Sequence, residues 1–276
     1  ASGLFADEFK HSGTFPTRIE VDARRIQVQN GTMGDYFSDL HLARRSAEAT
    51  AEAWQAADTL SGSSTVVAEM MNLAGFAYVF FGENYCNGTP FSRVTAEGEL
   101  EFGSGQSVQQ MLSTAVSRFE TAAASASSAG ESDLGYLAAV GRGRALLDQG
   151  QFAQAGQAVA DVPTDFEYTV RFSTNTSRQE NGVMALNHLS ERWSVVDAEG
   201  GGIDYLSAAE AGDPRVGFQV APDSTGFDTA VKPMYYQLKY AGRDSPIPLA
   251  TGIEARLIEA EAALRDGDVA GFESVH

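Results

Sequence analysis

Two apolar segments joined by a four-residue link do most to limit what this chain can become. Between residues 35 and 60, Tyr36, Phe37, Leu40, Ala43, Ala47, Ala51 and Trp54 recur at intervals of three and four, one face of a helix. Residues 65–81 hold Val66, Val67, Met70, Met71, Leu73, Phe76, Tyr78, Phe80 and Phe81, which leave almost no polar face. A helix apolar nearly all round must be buried on most sides. Between them, Ser61-Gly62-Ser63-Ser64 joins a helix stop to a new N-cap, and so short a link sets the two helices antiparallel. A mainly α fold built from helix pairs is expected. The nearly unbroken apolar run at 73–81 is far shorter than the ~20 residues a membrane helix needs.

The helical period returns at 107–125, with Val108, Met111, Leu112, Ala115, Val116 and Phe119 on one face, and again at 132–149 and 152–161. Gly143, Gly150 and Phe152 have the spacing of a tetratricopeptide (TPR) hairpin, in which a small residue lets two helices approach and an aromatic fills the gap. A partial second copy, Ala260, Ala263, Gly267 and Phe272, follows a last helix expected at 250–265. The helix pairs therefore fall at about 35–82, 107–162 and 249–276. The first 30 residues read as polar and irregular, and 82–105 as a long loop rich in Gly, Asn and Ser. Between 163 and 248 the helical period fails. There Phe166, Tyr168, Val170 and Phe172 alternate as in a short strand, and Gly200-Gly201-Gly202 reads as a flexible turn.

Charge excludes whole classes of partner. Nineteen basic residues against 37 acidic ones leave a net charge of -18, unsuited to nucleic acid or an anionic membrane surface. A polyanionic ligand would be repelled unless the arginines cluster, so a neutral or cationic one is expected. Cys86 is the one cysteine, so no internal disulfide can form. His11, His41, His188 and His276 have no metal-site spacing, and neither a phosphate-binding loop nor a nucleophile elbow is present. No catalytic residue, metal ligand or cofactor is assigned. The starting Ala1-Ser2-Gly3 carries no basic and apolar leader, which fits a cytosolic chain or a trimmed mature one.

Aromatic residues in or beside the irregular segments are the best functional cue. Tyr85, Tyr168, Phe172, Trp193, Tyr235, Tyr236 and Tyr240 are the candidate ligand-binding residues. Exposed rings offer flat apolar faces to sugar C–H groups, and tyrosine adds a hydroxyl. The alternative for each ring is a small satellite core that holds a loop down.

Several stretches in order along nearly the whole chain resemble the SusD/RagB family of outer-membrane nutrient-binding lipoproteins. They are Ala6-Asp7-Glu8-Phe9, the Ala43-Arg44-Arg45 of the long helix, and Phe81-Gly82 with Thr89-Pro90-Phe91-Ser92. They continue with Gly150-Gln151-Phe152, Asp213-Pro214-Arg215-Val216, Gln237-Leu238-Lys239-Tyr240 and the Glu- and Ala-rich helix from Ile253 to Leu264. The resemblance implies one mainly α SusD/RagB-like domain of TPR-like pairs, long loops and a minor β element, incomplete at both ends. It implies a non-enzymatic protein held on the cell surface by a lipid. Such a protein captures a glycan or peptide for a SusC-like TonB-dependent transporter. The lipid-bearing cysteine is absent, and Cys86 is expected deep inside the fold, where it cannot replace it. The family's Arg-Tyr before the late helix is replaced by Thr251-Gly252. Two other functions stay open: a TPR scaffold for a protein partner, and a glycoside hydrolase with two facing carboxylates.

Overall fold

The computed structural model describes residues 2–57, 61–95, 97–196, 205–223, 225–229 and 231–275. The chain begins with α1 (Ser2–Phe5), β1 (Phe9–His11) and α2 (Pro16–Asp22), then the long α3 (Gly31–Ala56) and α4 (Ser63–Asn84). Four short strands follow: β2 (Thr89–Pro90), β3 (Arg93–Val94), β4 (Leu100–Glu101) and β5 (Gly105–Gln106). Next come α5 (Val108–Ala129), α6 (Ser132–Asp148), α7 (Phe152–Val159) and β6 (Glu167–Val170). After the short α8 (Gly182–Met184), the chain continues through β7 (Trp193–Val195), α9 (Tyr205–Glu210), β8 (Phe218–Val220) and β9 (Tyr235–Gln237). It ends with β10 (Ile247–Thr251), α10 (Gly252–Asp266) and α11 (Val269–Val275).

These elements form two compact units, Ala1–Phe37 with Thr169–Ile247, and Ser38–Tyr168 with Pro248–His276. The second holds the helix pairs read from the sequence, and the first holds the loop-rich stretch together with the N-terminal arm.

The helical unit is organised around α4, which is long and apolar enough to cross a bilayer. Here its apolar surface forms the core instead: Val67, Ala68, Phe76, Tyr78, Val79 and Phe81 are buried. Close helix contact depends on Gly75 and Gly141, because the Phe119 ring lies where a Cβ on either would sit, 2.7 and 2.3 Å from the nearest ring carbons. Several helix ends follow the sequence, although α4 starts after Gly62 with no side-chain cap. Ser107 and Gln110 make a reciprocal capping box on α5, Gly130 ends α5 with φ 73°, and Thr251 accepts from the Glu254 amide at the start of α10. Thr251-Gly252 answers a local packing constraint. A Cβ on Gly252 would come within 2.0 Å of the Pro163 carbonyl oxygen, and the Gly252 amide donates to Phe166 O at 2.8 Å.

Four expectations need correction. Beside Gly143, the gap is filled by Val159, whose Cγ1 would stand 2.5 Å from an added Cβ, while Phe152 packs under the Arg265 guanidinium at 4.7 Å. The expected loop at 82–105 carries a nested ladder, β2 with β5 and β3 with β4, antiparallel. Cys86 is exposed on the turn after α4 rather than inside the fold. The first 30 residues are ordered: Leu4, Phe9 and Val21 bury themselves with Trp193 in a second small core, and β1 pairs antiparallel with β7, Phe9 opposite Val195. Those partners lie more than 170 residues downstream in the chain, so no local pattern announces them. Gly200-Gly201-Gly202 lies outside the described residues.

Candidate functional site

In the loop-rich unit, one five-residue π-helical turn, Ala185–Leu189, follows directly on α8. Such turns lack the regular i→i−4 bonding and recur at functional sites. Asn187 clamps it from within. Fully buried, its amide donates to Trp193 O at 2.6 Å and Tyr235 O at 3.1 Å, and its Oδ1 accepts from the Gln237 amide at 2.9 Å. The π turn is thereby tied to both β7 and β9.

The chain leaves this turn through Glu191, a non-glycine residue at φ 50°. That conformation costs free energy and persists only where the surroundings impose it. Here they do: Arg192 N donates to Leu186 O at 2.9 Å, Phe227 N to Glu191 O at 2.9 Å, and Ser12 N to Arg192 O at 2.7 Å.

His188 on this turn and Arg192 just after it both meet aromatic rings. The Arg192 guanidinium lies 3.6 Å from the centroid of Phe227 and 4.7 Å from that of Phe15, and Arg18 lies 4.8 Å from Phe15. Both rings are about half exposed, 46% for Phe15 and 49% for Phe227. His188 stacks on Tyr236, centroids 4.4 Å apart and planes 22° apart, and its Nε2 meets Gln237 O at 2.7 Å. Tyr236 donates its hydroxyl to Glu191 Oε1. Burial first, then this bond to a carboxylate, pushes the Tyr236 hydroxyl up to about 12, so it remains protonated.

Behind this turn the packing is tight and polar. Both ring nitrogens of His11, Ser12 Oγ, Arg192 Nη1 and Trp193 Nε1 are out of solvent without a hydrogen-bond partner among the described residues. His11 Nε2 and Arg192 Nη1 both come within about 3 Å of where a Cβ on Gly13 would stand, so a larger residue there would have to displace both side chains. Burial first, then Arg18, lowers His11 to about 4 and keeps it neutral.

Of the residues picked from the sequence, Tyr235, Tyr236 and Trp193 are brought together around the π turn. Trp193, however, is buried core, 8% exposed, and packs on Phe9 at 5.5 Å, so it offers no platform. Tyr235 is half-buried edge-on to Phe218 at 5.2 Å. Tyr240 is half-buried, with its amide bonded to Gln237 Oε1 at 2.7 Å and Lys239 Nζ 5.8 Å from its ring. Phe172 is half-buried just past β6. Tyr85 and Tyr168 belong to the helical unit, where Tyr85 packs on Phe81 and Tyr168 donates to Glu69 at 2.8 Å. Phe15, His188, Glu191, Arg192 and Phe227 escaped the sequence reading. The Glu191-Arg192-Trp193 run was visible, but not that Phe15 and Phe227 would close on the arginine from distant segments.

The arrangement suits binding. Half-exposed rings give flat apolar faces, while Arg192, the Tyr236 hydroxyl and the Glu191 carboxylate give rigid donors and acceptors. Among the described residues no three His, Cys, Asp or Glu side chains gather as a metal site.

No protein-family model and no curated protein matches the sequence. Solved structures do match in fold. A SusD/RagB family protein of Bacteroides thetaiotaomicron VPI-5482 superposes with a TM-score of 0.73 at 11% identity, over 99% of this chain and 64% of that one. A SusD-like carbohydrate binding protein of Bacteroides vulgatus ATCC 8482 gives 0.63 at 14% identity, over 99% and 66%. A SusD-like protein of Bacteroides fragilis NCTC 9343 gives 0.63 at 13%, over 99% and 73%. The chain thus spans less than two thirds of the first two. Across 99% of its length, this mainly α chain has the SusD/RagB fold.

Proposed function

We propose that this is a non-enzymatic nutrient-binding protein that captures a saccharide at the Phe15–Arg192–Phe227 and His188–Tyr236–Glu191 clusters. The carrying observation is the strained, clamped turn that holds aromatic faces beside fixed polar groups. The SusD-like fold supports the same reading, and one neighbour of that fold is described as carbohydrate binding.

From the same fold we infer delivery to a SusC-like TonB-dependent transporter, with the protein held at the outer face of the outer membrane by a lipid anchor. Two experiments test the two halves separately. Calorimetry against a panel of neutral glycans and peptides should give saturable binding to a glycan; binding to peptides alone would replace the ligand class. Purification from source membranes in mild detergent should bring down a large β-barrel in stoichiometric amount. Recovery of the protein alone from the soluble fraction would overturn the transporter assignment.

A second reading has its own support. Ile253, Leu257 and Leu264 leave an exposed apolar stripe on α10, as a TPR scaffold for a protein partner would.

A further inference from the structure

The helical unit contains a pocket of about 510 Å³ lined by Arg44, Arg45, Arg93 and Arg118, against only two acids, Glu48 and Glu52. On a chain of net charge -18 this gathering runs against composition. It is the clustering that would let an acidic ligand approach.

The ion pairs do not balance. Arg45 pairs with Glu52 at 3.4 Å and Arg93 with Glu101 at 2.6 Å, one cation to one anion. Glu48 alone serves two arginines. Its carboxylate, 6% exposed as a residue, accepts from Arg44 Nη1 at 2.6 Å, from Arg118 Nε at 3.0 Å and Nη2 at 2.9 Å, and from Tyr78 OH at 3.2 Å. Arg44, 4% exposed, spends Nη2 on Ser92 O at 3.0 Å and leaves Nε without a partner. Arg118, its side chain 31% exposed, has Nη1 left over after its two bonds to Glu48. Arg44 and Arg118 therefore share one anion, and the surplus positive charge falls at the Arg118 edge, which reaches solvent and is open to an incoming anion. Gln106 Oε1, also in the pocket wall, is out of solvent and accepts nothing. Tyr78 and Phe91 supply apolar wall.

The missing complement is one negative charge for the Arg118 edge and hydroxyl groups to meet the polar wall of Ser113, Thr114 and Ser117, with Phe91 as apolar wall. We infer that this pocket is a carboxylate site for a small polyhydroxylated acid, of which a hexuronic acid is the fitting class. The site is independent of the saccharide cluster of the loop-rich unit, so either can fail alone.

The test is calorimetry of the whole chain with D-galacturonate, with D-galactose and acetate as controls. Galacturonate should bind saturably and more weakly as salt rises, acetate at least about tenfold more weakly than galacturonate, and galactose should give no heat from this pocket. Arg118→Gln should abolish galacturonate binding. Its fold is expected to survive, because Arg44 and Glu48 remain one to one. Should Arg118→Gln unfold, Arg93→Gln serves: that side chain is 66% exposed at the rim, and its loss should weaken galacturonate by several-fold without moving the melting temperature. No saturable galacturonate binding at about 10 mM would overturn the assignment. So would equal binding of galactose abolished by the same variants, or galacturonate binding that both variants leave intact.

Discussion

Single residues decide how closely the helices of the larger unit approach. Phe119 is fully buried with its ring against both Gly75 and Gly141. Phe119→Ala should cost about 3–5 kcal/mol, the usual loss for a buried aromatic. Gly141→Ala gains about 1 kcal/mol of helix propensity but drives a methyl into the ring, so a net loss of about 1–2 kcal/mol is expected. Urea unfolding of the two variants checks both, and a Gly141→Ala protein as stable as the parent would contradict the packing. Two histidines set the acid response. His41 packs on Phe81 and Phe91, and burial first, then Arg44, lowers it to about 4, as His11 is lowered. Between pH 6.5 and 4 the unfolded chain binds protons at these positions and the folded chain does not, so their contribution to stability falls as pH drops. Asp148 opposes them. Burial first, then Glu83, raises it to about 6, so its contribution grows as pH falls from 6 towards 4. His41→Phe should shift the acid unfolding midpoint to lower pH, and Asp148→Asn should make the loss between pH 6 and 4 steeper. Circular dichroism against pH reads both.

At the scale of elements, what was legible follows from locality. α3 to α7 and α10 could be read because an amphipathic helix writes its period into consecutive residues, and their bounds came within a few positions. β6 could also be read, from the alternation of Phe166, Tyr168 and Val170, but the pairing of the strands could not, since each has only two to five residues and β1 finds its partner in β7. The candidate site was half legible for the same reason. Tyr235 and Tyr236 stood out as aromatics in an irregular stretch, whereas Phe15, Arg192 and Phe227 meet only through the tertiary fold. Trp193 misled because a tryptophan in an irregular segment serves equally well as core. Two polar clamps hold elements together and are open to test. Asn187→Ala would leave two carbonyls and an amide unpaired inside the loop-rich unit, a loss of about 2–4 kcal/mol by chemical denaturation. Glu48 joins α3 to α4 through Tyr78 and to α5 through Arg118. Glu48→Gln leaves two guanidinium groups with no anion and should cost about 3–5 kcal/mol. A variant within about 0.5 kcal/mol of the parent would show that water already satisfies them.

For the whole molecule, the division of labour is between a helical unit closed by glycine–aromatic packing and a loop-rich unit whose irregular backbone carries the exposed rings. The helical unit draws its stability from a continuous apolar core. Among its described residues the loop-rich unit has a small core around Leu4, Phe9, Val21 and Trp193, and buried polar clamps such as Asn187 tie its irregular backbone together. Irregular backbone held this way can bend rings and charges into one cluster that a regular strand or helix would not present. An acidic surface of pI about 4.5 suits a neutral saccharide at that cluster, where hydrogen bonds and ring stacking replace charge steering. The most direct measurement of the saccharide claim is calorimetric titration of Phe227→Ala with a glycan the parent binds. Phe227 is half exposed, so the variant should keep its melting temperature within about 2 °C while the affinity falls at least about tenfold. Unchanged affinity in a folded Phe227→Ala protein would contradict the account and move the ligand away from this cluster.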